Sequence, residues 1–248
     1  MTKKPLTLPR AVVFDLDGTL VHSAPDLHAA LNRLMADEGR RALDLQEVVL
    51  MIGDGVPKLV ERGFKATGDL PDDSYLAGAV KRFLADYEIH ATVLTKLFPA
   101  VAETLTALKA AGCRLGVCTN KPEAATLEIL TELGIKEKID VIVGGDTLEG
   151  IRKPDPRHLQ AVLERLGTAP DDAVMVGDNP NDVASARNAG VRVIAVTFGY
   201  SRVAPPDLGA DRLIDGYGEL LDALAGLASQ RLEGLISRAL TEARPMLR

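Results

Sequence analysis

Five short runs of apolar, largely β-branched residues punctuate the chain: Ala11–Phe14, Arg114–Cys118, Asp140–Gly144, Ala173–Val176 and Val191–Val196. Runs of this kind read as buried parallel strands, covered on both faces. Helical periodicity separates the later ones, and each helical stretch stops at a glycine. Pro99–Ala111 ends before Gly112, Pro122–Leu133 before Gly134, Asp155–Leu166 before Gly167 and Asn181–Ala189 before Gly190. Strand and helix in alternation predict right-handed crossovers and an α/β fold, a doubly wound, Rossmann-like parallel sheet.

The interval after the first run breaks this rhythm. The first strand ends near Asp15 and the next begins at Arg114, several times the length of one crossover. Between them Pro25–Ala91 carries helical spacing: Leu27, Ala30, Leu31 and Leu34, then Val56, Leu59, Val60 and Phe64, then Val80, Leu84 and Tyr87. This predicts an inserted helical cap joined by linkers near Val21–Ala24 and Thr92–Leu97, able to close over the strand ends. The expected division is a core of residues 1–22 and 95–227, a cap of residues 23–94, and a C-terminal helical extension of residues 228–248.

Composition narrows the function classes. The 248 residues are 46% hydrophobic and carry a net charge of -6, so no basic face for a nucleic acid is expected. Cys113 and Cys118 lack metal-ligand spacing and read as buried thiols. The basic start (Thr2-Lys3-Lys4-Pro5) leads into no long apolar region, and no run approaches the ~20 residues of a membrane span. The expectation is a cytoplasmic chain that touches no membrane.

Polar stretches fall at the ends of the apolar runs. Asp15-x-Asp17-Gly18-Thr19 follows the first, and Cys118-Thr119-Asn120-Lys121 closes the second. Lys153-Pro154 precedes the third of the later helices, and Gly177-Asp178-Asn179-Pro180-Asn181-Asp182 follows Ala173–Val176. Any one of these alone reads as turn or helix-cap chemistry. In a parallel sheet all four gather at one edge, where ligands bind. Two carboxylates as close as Asp15 and Asp17 repel each other unless a cation or proton offsets the charge. The pair therefore predicts a metal site, or a nucleophile beside an acid. The pooled carboxylates, hydroxyl, amide and ammonium suit attack on a phosphate.

In the order and content of these four stretches the chain resembles the haloacid dehalogenase superfamily of phosphotransferases, over nearly the whole sheet domain. The resemblance implies that Asp15 is a nucleophile forming an aspartyl-phosphate. It makes Asp17 the acid that protonates the leaving oxygen, then the base that activates water. Thr119 and Asn120 would bind the phosphate, and Lys153 would steady both Asp15 and the transferred group. Mg2+ is the implied cofactor, held by Asp15, Asp178 and the backbone carbonyl of Asp17, with Asp182 and Asn179 in support. The chemistry is coherent: a carboxylate splits one hard displacement into two easier ones. A hard cation and a lysine neutralise the approach of two anions, and a hydroxyl with loop N–H groups holds the equatorial oxygens. Proton transfer by a positioned Asp17 is worth roughly 10²–10⁴ in rate.

Within the superfamily the insert after the first motif matches the subgroup whose cap sits there, and the chain is most similar to bacterial phosphoglycolate phosphatases. That similarity rests on Asp15–Leu20 with Ser23-Ala24-Pro25-Asp26-Leu27, and on Ile52-Gly53-Asp54-Gly55 with Leu59-Val60-Glu61-Arg62. It rests further on Gly116–Lys121 and Thr197-Phe198-Gly199-Tyr200. It implies a monomeric or homodimeric Mg2+-dependent phosphomonoesterase for a small phosphorylated metabolite such as 2-phosphoglycolate. Alternatives are another small phosphate, pyrophosphate, a sugar-phosphate mutase, and a non-catalytic binding protein. His22 and Asp54 depart from the family pattern, where Asp and Asn are common. His22 reads as a solvated linker residue, and Asp54 as added negative charge on a loop facing an anionic substrate. Lys58 and Arg62 either read a substrate carboxylate or are solvated charges on a helix face.

Overall fold

A computed structural model describes residues 7–229. Its sheet has six parallel strands: β1 (Ala11–Phe14), β4 (Arg114–Cys118), β5 (Val141–Val143), β6 (Ala173–Gly177), β7 (Arg192–Val196) and β8 (Arg212–Ile214), in the order β5-β4-β1-β6-β7-β8. β1 lies between β4 and β6, with Ala11 opposite both Arg114 and Ala173. The chain builds outward from β1 on one side and then on the other, so the topological switch point lies at the carboxyl end of β1.

Strand side chains alternate between faces. Val12 and Phe14 enter one apolar core with Leu115, Val117, Val174 and Val176, on the side of α5 (Val101–Ala110) and α6 (Glu123–Glu132). Ala11 and Val13 enter a second core with Met175, Val193 and Leu159, on the side of α7 (Pro156–Leu166) and α8 (Pro180–Asn188). Full burial of each such side chain is worth ~1.5–3 kcal/mol. The helical stretch at residues 220–229 buries Leu220, Leu224 and Leu227 against the first core. The expected extension at residues 228–248 lies, beyond residue 229, outside the described residues.

β8 is a strand that the apolar runs did not predict. It has three residues, and Arg212 and Leu213 are exposed while Ile214 is buried, as befits an edge. The interval after β1 holds α1 (Ala24–Asp37), α2 (Leu45–Val49), α3 (Val56–Thr67) and α4 (Asp73–His90). α1 packs against the other three helices. Pro25 sits in the first turn of α1, where its missing N–H is harmless, and Asp44 with Glu47 forms a capping box on α2. The buried stripe of α4 is Ala79, Phe83 and Tyr87; Val80 and Leu84 are only half-buried, one position around from the predicted face.

The two linkers are paired rather than loose. β2 (Val21–His22) and β3 (Lys96–Leu97) form an antiparallel ribbon, and Val21 also bridges to Asp17. The Asp26 carboxylate in the first turn of α1 accepts hydrogen bonds from the Leu94 N–H and from the Thr95 N–H and hydroxyl. Both crossings into the helical insert are thus tied together.

Candidate active site

The switch point collects the polar stretches. β1 delivers Asp15 directly beyond its last residue, and the Asp15 N–H still donates to the Val176 carbonyl of β6. The chain then turns tightly: the Leu16 carbonyl accepts N–H groups from Thr19, Leu20 and Val21, with Gly18 at φ +86°. β4 and β6 flank this turn and bring Thr119 and Asp178 beside it.

Lys153 Nζ lies 2.7 Å from Asp15 Oδ1 and 2.6 Å from Asp182 Oδ1, with its side chain only 1% exposed. The other oxygen of Asp182 accepts the N–H groups of Asp178 and Asn179 at 3.0 and 3.1 Å. Asn179 caps α8. Asp178 is held by the Thr19 hydroxyl at 3.0 Å and the Tyr200 N–H at 2.7 Å. Its position depends on two missing side chains: a Cβ on Gly199 would lie 2.1 Å from Asp178 Cβ, and one on Gly18 would lie 2.6 Å from its Oδ2.

Asp15, Asp178 and Asp182 offer carboxylate oxygens within 4.8 Å of one another. One buried ammonium faces these three acids. Burial pushes Asp15 up to about 7, against the pull of Lys153, and Asp182 and Asp17 push the same way. Burial, then the negative charges of Asp182 and Asp15, raise Asp178 well above the usual carboxylate range. A buried all-oxygen cluster short of positive charge fits a hard divalent cation. Asp182 is engaged by Lys153 and by two backbone N–H groups, which leaves Asp15 and Asp178 as the side chains suited to hold it.

The Asp17 carboxylate is not in this cluster. It accepts from Lys121 Nζ at 3.0 and 3.1 Å and from the Ser23 hydroxyl at 2.5 Å. Only its backbone carbonyl is left for the metal role that the resemblance implied. The Asn120 side chain is engaged within the protein. Its side-chain amide donates to the carbonyls of Gly53 and Lys153, both at 3.0 Å, so one amide hydrogen ties the insert loop to the sheet body and the other ties two loops of that body together. The Thr119 hydroxyl accepts the Lys121 N–H at 3.2 Å and keeps its own proton available.

The site opens into a narrow cleft with room of about 30 Å3. Asp15, Asp17, Thr119, Asn120 and Lys121 form one wall, and Leu27, Ile52, Val56 and Leu59 of the insert form an apolar one. Gly53 and Gly55 close it, so the insert loop does face the site. Asp54, between them, was expected to add negative charge there. Instead it pairs with Arg62 of α3 and Arg202 of the sheet body, and accepts from Asn181 at 2.6 Å. Burial works upward on its carboxyl, but hydrogen bonds from Asn181, Arg62 and Arg202 overcome it and hold it below the usual range. His22, read as solvated, is half-buried: its Nδ1 lies 2.8 Å from the Tyr200 hydroxyl and its ring packs on Phe98. Lys121 is the participant whose role sequence reasoning missed. Its place beside Asn120 was the only available signal, since a lysine just ahead of a helix ordinarily reads as solvated.

Among the described residues no helix is long and apolar enough to cross a membrane. The family model for haloacid dehalogenase-like hydrolases matches residues 12–196. A phosphoglycolate phosphatase of Rhodospirillum rubrum is 46% identical over 221 residues, covering 88% of this chain and 91% of its own. The crystal structure of a predicted phosphoglycolate phosphatase from Haemophilus somnus superposes with a TM-score of 0.83 at 30% identity, covering 88% of this chain and 99% of its own. That of CbbY from Rhodobacter sphaeroides in complex with phosphate gives 0.69 at 28% identity, over 86% and 96% of the two chains. With the Asp15–Asp17 turn, the lysine and the acidic cluster at one sheet edge, this chain belongs to the haloacid dehalogenase-like hydrolase family.

Proposed function

We propose that the chain is a cytoplasmic, Mg2+-dependent phosphomonoesterase that hydrolyses 2-phosphoglycolate to glycolate and phosphate through a phosphorylated Asp15. The observation that carries this reading is the Lys153 bridge between Asp15 and Asp182 at the switch point, beside the uncompensated charge of Asp178. Relatives named phosphoglycolate phosphatase support the substrate, and the small, half-apolar cleft suits a short molecule. Residues 23–94 act as the cap, and residues 1–22 with 95–227 as the catalytic core.

In the first half-reaction an Asp15 oxygen attacks phosphorus and the bond from phosphorus to the glycolate oxygen breaks. Asp17 gives its proton to that oxygen. In the second, Asp17 takes a proton from water as the water attacks phosphorus, and the Asp15 carboxylate is regenerated. Lys153 keeps Asp15 oriented, and the Thr119 hydroxyl donates to a phosphoryl oxygen. Asp15, Asp178 and the Asp17 backbone carbonyl would hold Mg2+, which when bound would offset the negative charge of the nucleophile and the phosphate.

The test is an acid-quenched single turnover of 2-phosphoglycolate with Mg2+, followed by peptide mapping. Phosphate on the peptide containing Asp15, with one free phosphate released per substrate consumed, is the expected result. An isomerised organic phosphate as product would instead identify a mutase.

A further inference from the structure

The substrate named above carries two anions, and the residues around Asp15 account for one of them. We infer that Lys121 is the specificity residue that reads the second anion, the carboxylate of the substrate; this rests on the phosphoglycolate reading. The cleft narrows the candidates. Among the described residues that line it, Lys121 is the one cationic side chain. Lys153 lies behind Asp15, engaged by Asp15 and Asp182. The two cations that the sequence offered for this task are occupied elsewhere. Lys58 pairs with Glu61 at 2.6 Å with its own side chain half exposed. Arg62 is bound to Asp54 and to the Met51 carbonyl.

Lys121 is built into its place. Its side chain is 3% exposed, and its Nζ sits between the Asp17 carboxylate and the ring of Tyr87, 4.7 Å from the ring centroid. Tyr87 belongs to α4 of the insert, and its buried side chain sits against the ammonium. The ammonium therefore spans core and insert, and it is assembled only with the insert in place. An ammonium has three donor hydrogens; Asp17 and Tyr87 constrain its direction, and Lys121 is part of the cleft wall. Gly55 and Val56, at the start of α3, line the same cleft and add the positive end of a helix dipole to its field. Asp15 and Lys121 line the same cleft, and a phosphate met by Asp15 with a carboxylate one methylene from the ester oxygen offers an anion to each. An uncharged tail of equal length forgoes the charge-assisted contact with this ammonium, whose remaining partner is then Asp17 alone among the anions, and sites built around such a contact discriminate against the analogue lacking the polar group.

The experiment compares 2-phosphoglycolate with ethyl phosphate, the same skeleton without the carboxylate. Wild-type protein comes first. If it turns over both with equal kcat/KM, the phosphoglycolate reading fails, and this inference with it. If it prefers 2-phosphoglycolate, the variants decide the role of Lys121 alone. Lys121→Met frees Asp17 of its partner, so both substrates suffer. The expected loss on 2-phosphoglycolate exceeds the loss on ethyl phosphate by about 30-fold, mostly in KM. Lys121→Arg keeps the charge and retains most of the preference, which keeps the test decisive should the methionine variant unfold. Equal losses on the two substrates, or loss of the preference in Lys121→Arg with folding intact by circular dichroism, would overturn the assignment and leave Lys121 a positioning residue for Asp17.

Discussion

Arg202 Nη2 of the sheet body meets Asp54 Oδ2 of the insert loop at 2.6 Å. The contact crosses from core to cap beside Gly53 and Gly55, which close the cleft. Asn181 grips the other oxygen of the same carboxylate. The aspartate that sequence reasoning took for an electrostatic handicap is instead the catch that holds the loop against the body.

Removing that catch has a bounded effect, because the pair is partly solvated and pairs of this kind contribute about 0.2–1 kcal/mol. Arg202→Ala should raise KM by up to about 5-fold, with a smaller change in kcat. Hydrogen exchange at residues 52–56 should quicken. Unchanged exchange there would show that Asn120 and Asn181 hold the loop unaided.

Asp15→Asn should abolish turnover, since an amide of nearly the same shape is a poor nucleophile. It should not unfold the chain. The site buries Asp15 at the expense of its charged form, so a neutral replacement removes a penalty while Lys153 keeps Asp182. Thermal unfolding in EDTA should give a midpoint no lower than wild type, and a marked drop would show the Asp15–Lys153 pair to be a net stabiliser.

The same burial sets a pH dependence. Asp15 holds its proton up to about 7 in the folded state, against 3.8 as its ordinary value. Between those values the folded protein binds more protons than the unfolded one, so this contribution to stability is lost as pH rises through the window. Asp178 acts in the same direction. A cation that favours the carboxylates opposes the loss. In EDTA the melting temperature should fall on going from about pH 5 to about pH 7.5, and saturating Mg2+ should reduce the fall. Parallel curves with and without Mg2+ would mean that the cluster does not bind it.

Gly199→Ala tests the seat of Asp178. The added methyl would lie 2.1 Å from Asp178 Cβ, so the carboxylate or the Tyr200 loop must move. Overpacking of this kind costs about 1–3 kcal/mol. The Mg2+ concentration giving half-maximal activity should rise at least about 10-fold. A normal Mg2+ titration would show that the loop yields without disturbing Asp178.

The legible parts of this molecule are those whose cause is local. β1, β4, β6 and β7 could be read because nearly every residue in them is buried, and three of the polar stretches because each abuts a strand, the fourth, Lys153-Pro154, because it stands just ahead of α7. β8 escaped because two of its three residues face solvent. β2 and β3 escaped because two-residue strands carry no periodicity. What could not be read is long-range pairing. Lys121 and Asp17 are 104 positions apart, and Asp54 and Arg202 are 148 apart. Nothing in either neighbourhood announces a partner at that distance. The Asn120 amide was expected on the phosphate; its use as a brace depends on the Gly53 carbonyl, 67 positions away, which only the folded insert brings near.

The ribbon of β2 and β3 bears on how the two halves of the protein can move. Two independent tethers would let the helical half swing and twist freely; a hydrogen-bonded pair pivots about one axis, like a door on a pinned hinge. Val21 of that ribbon is also bridged to Asp17. A swing wide enough to strain the pivot would therefore pull on the backbone of the turn that carries Asp17.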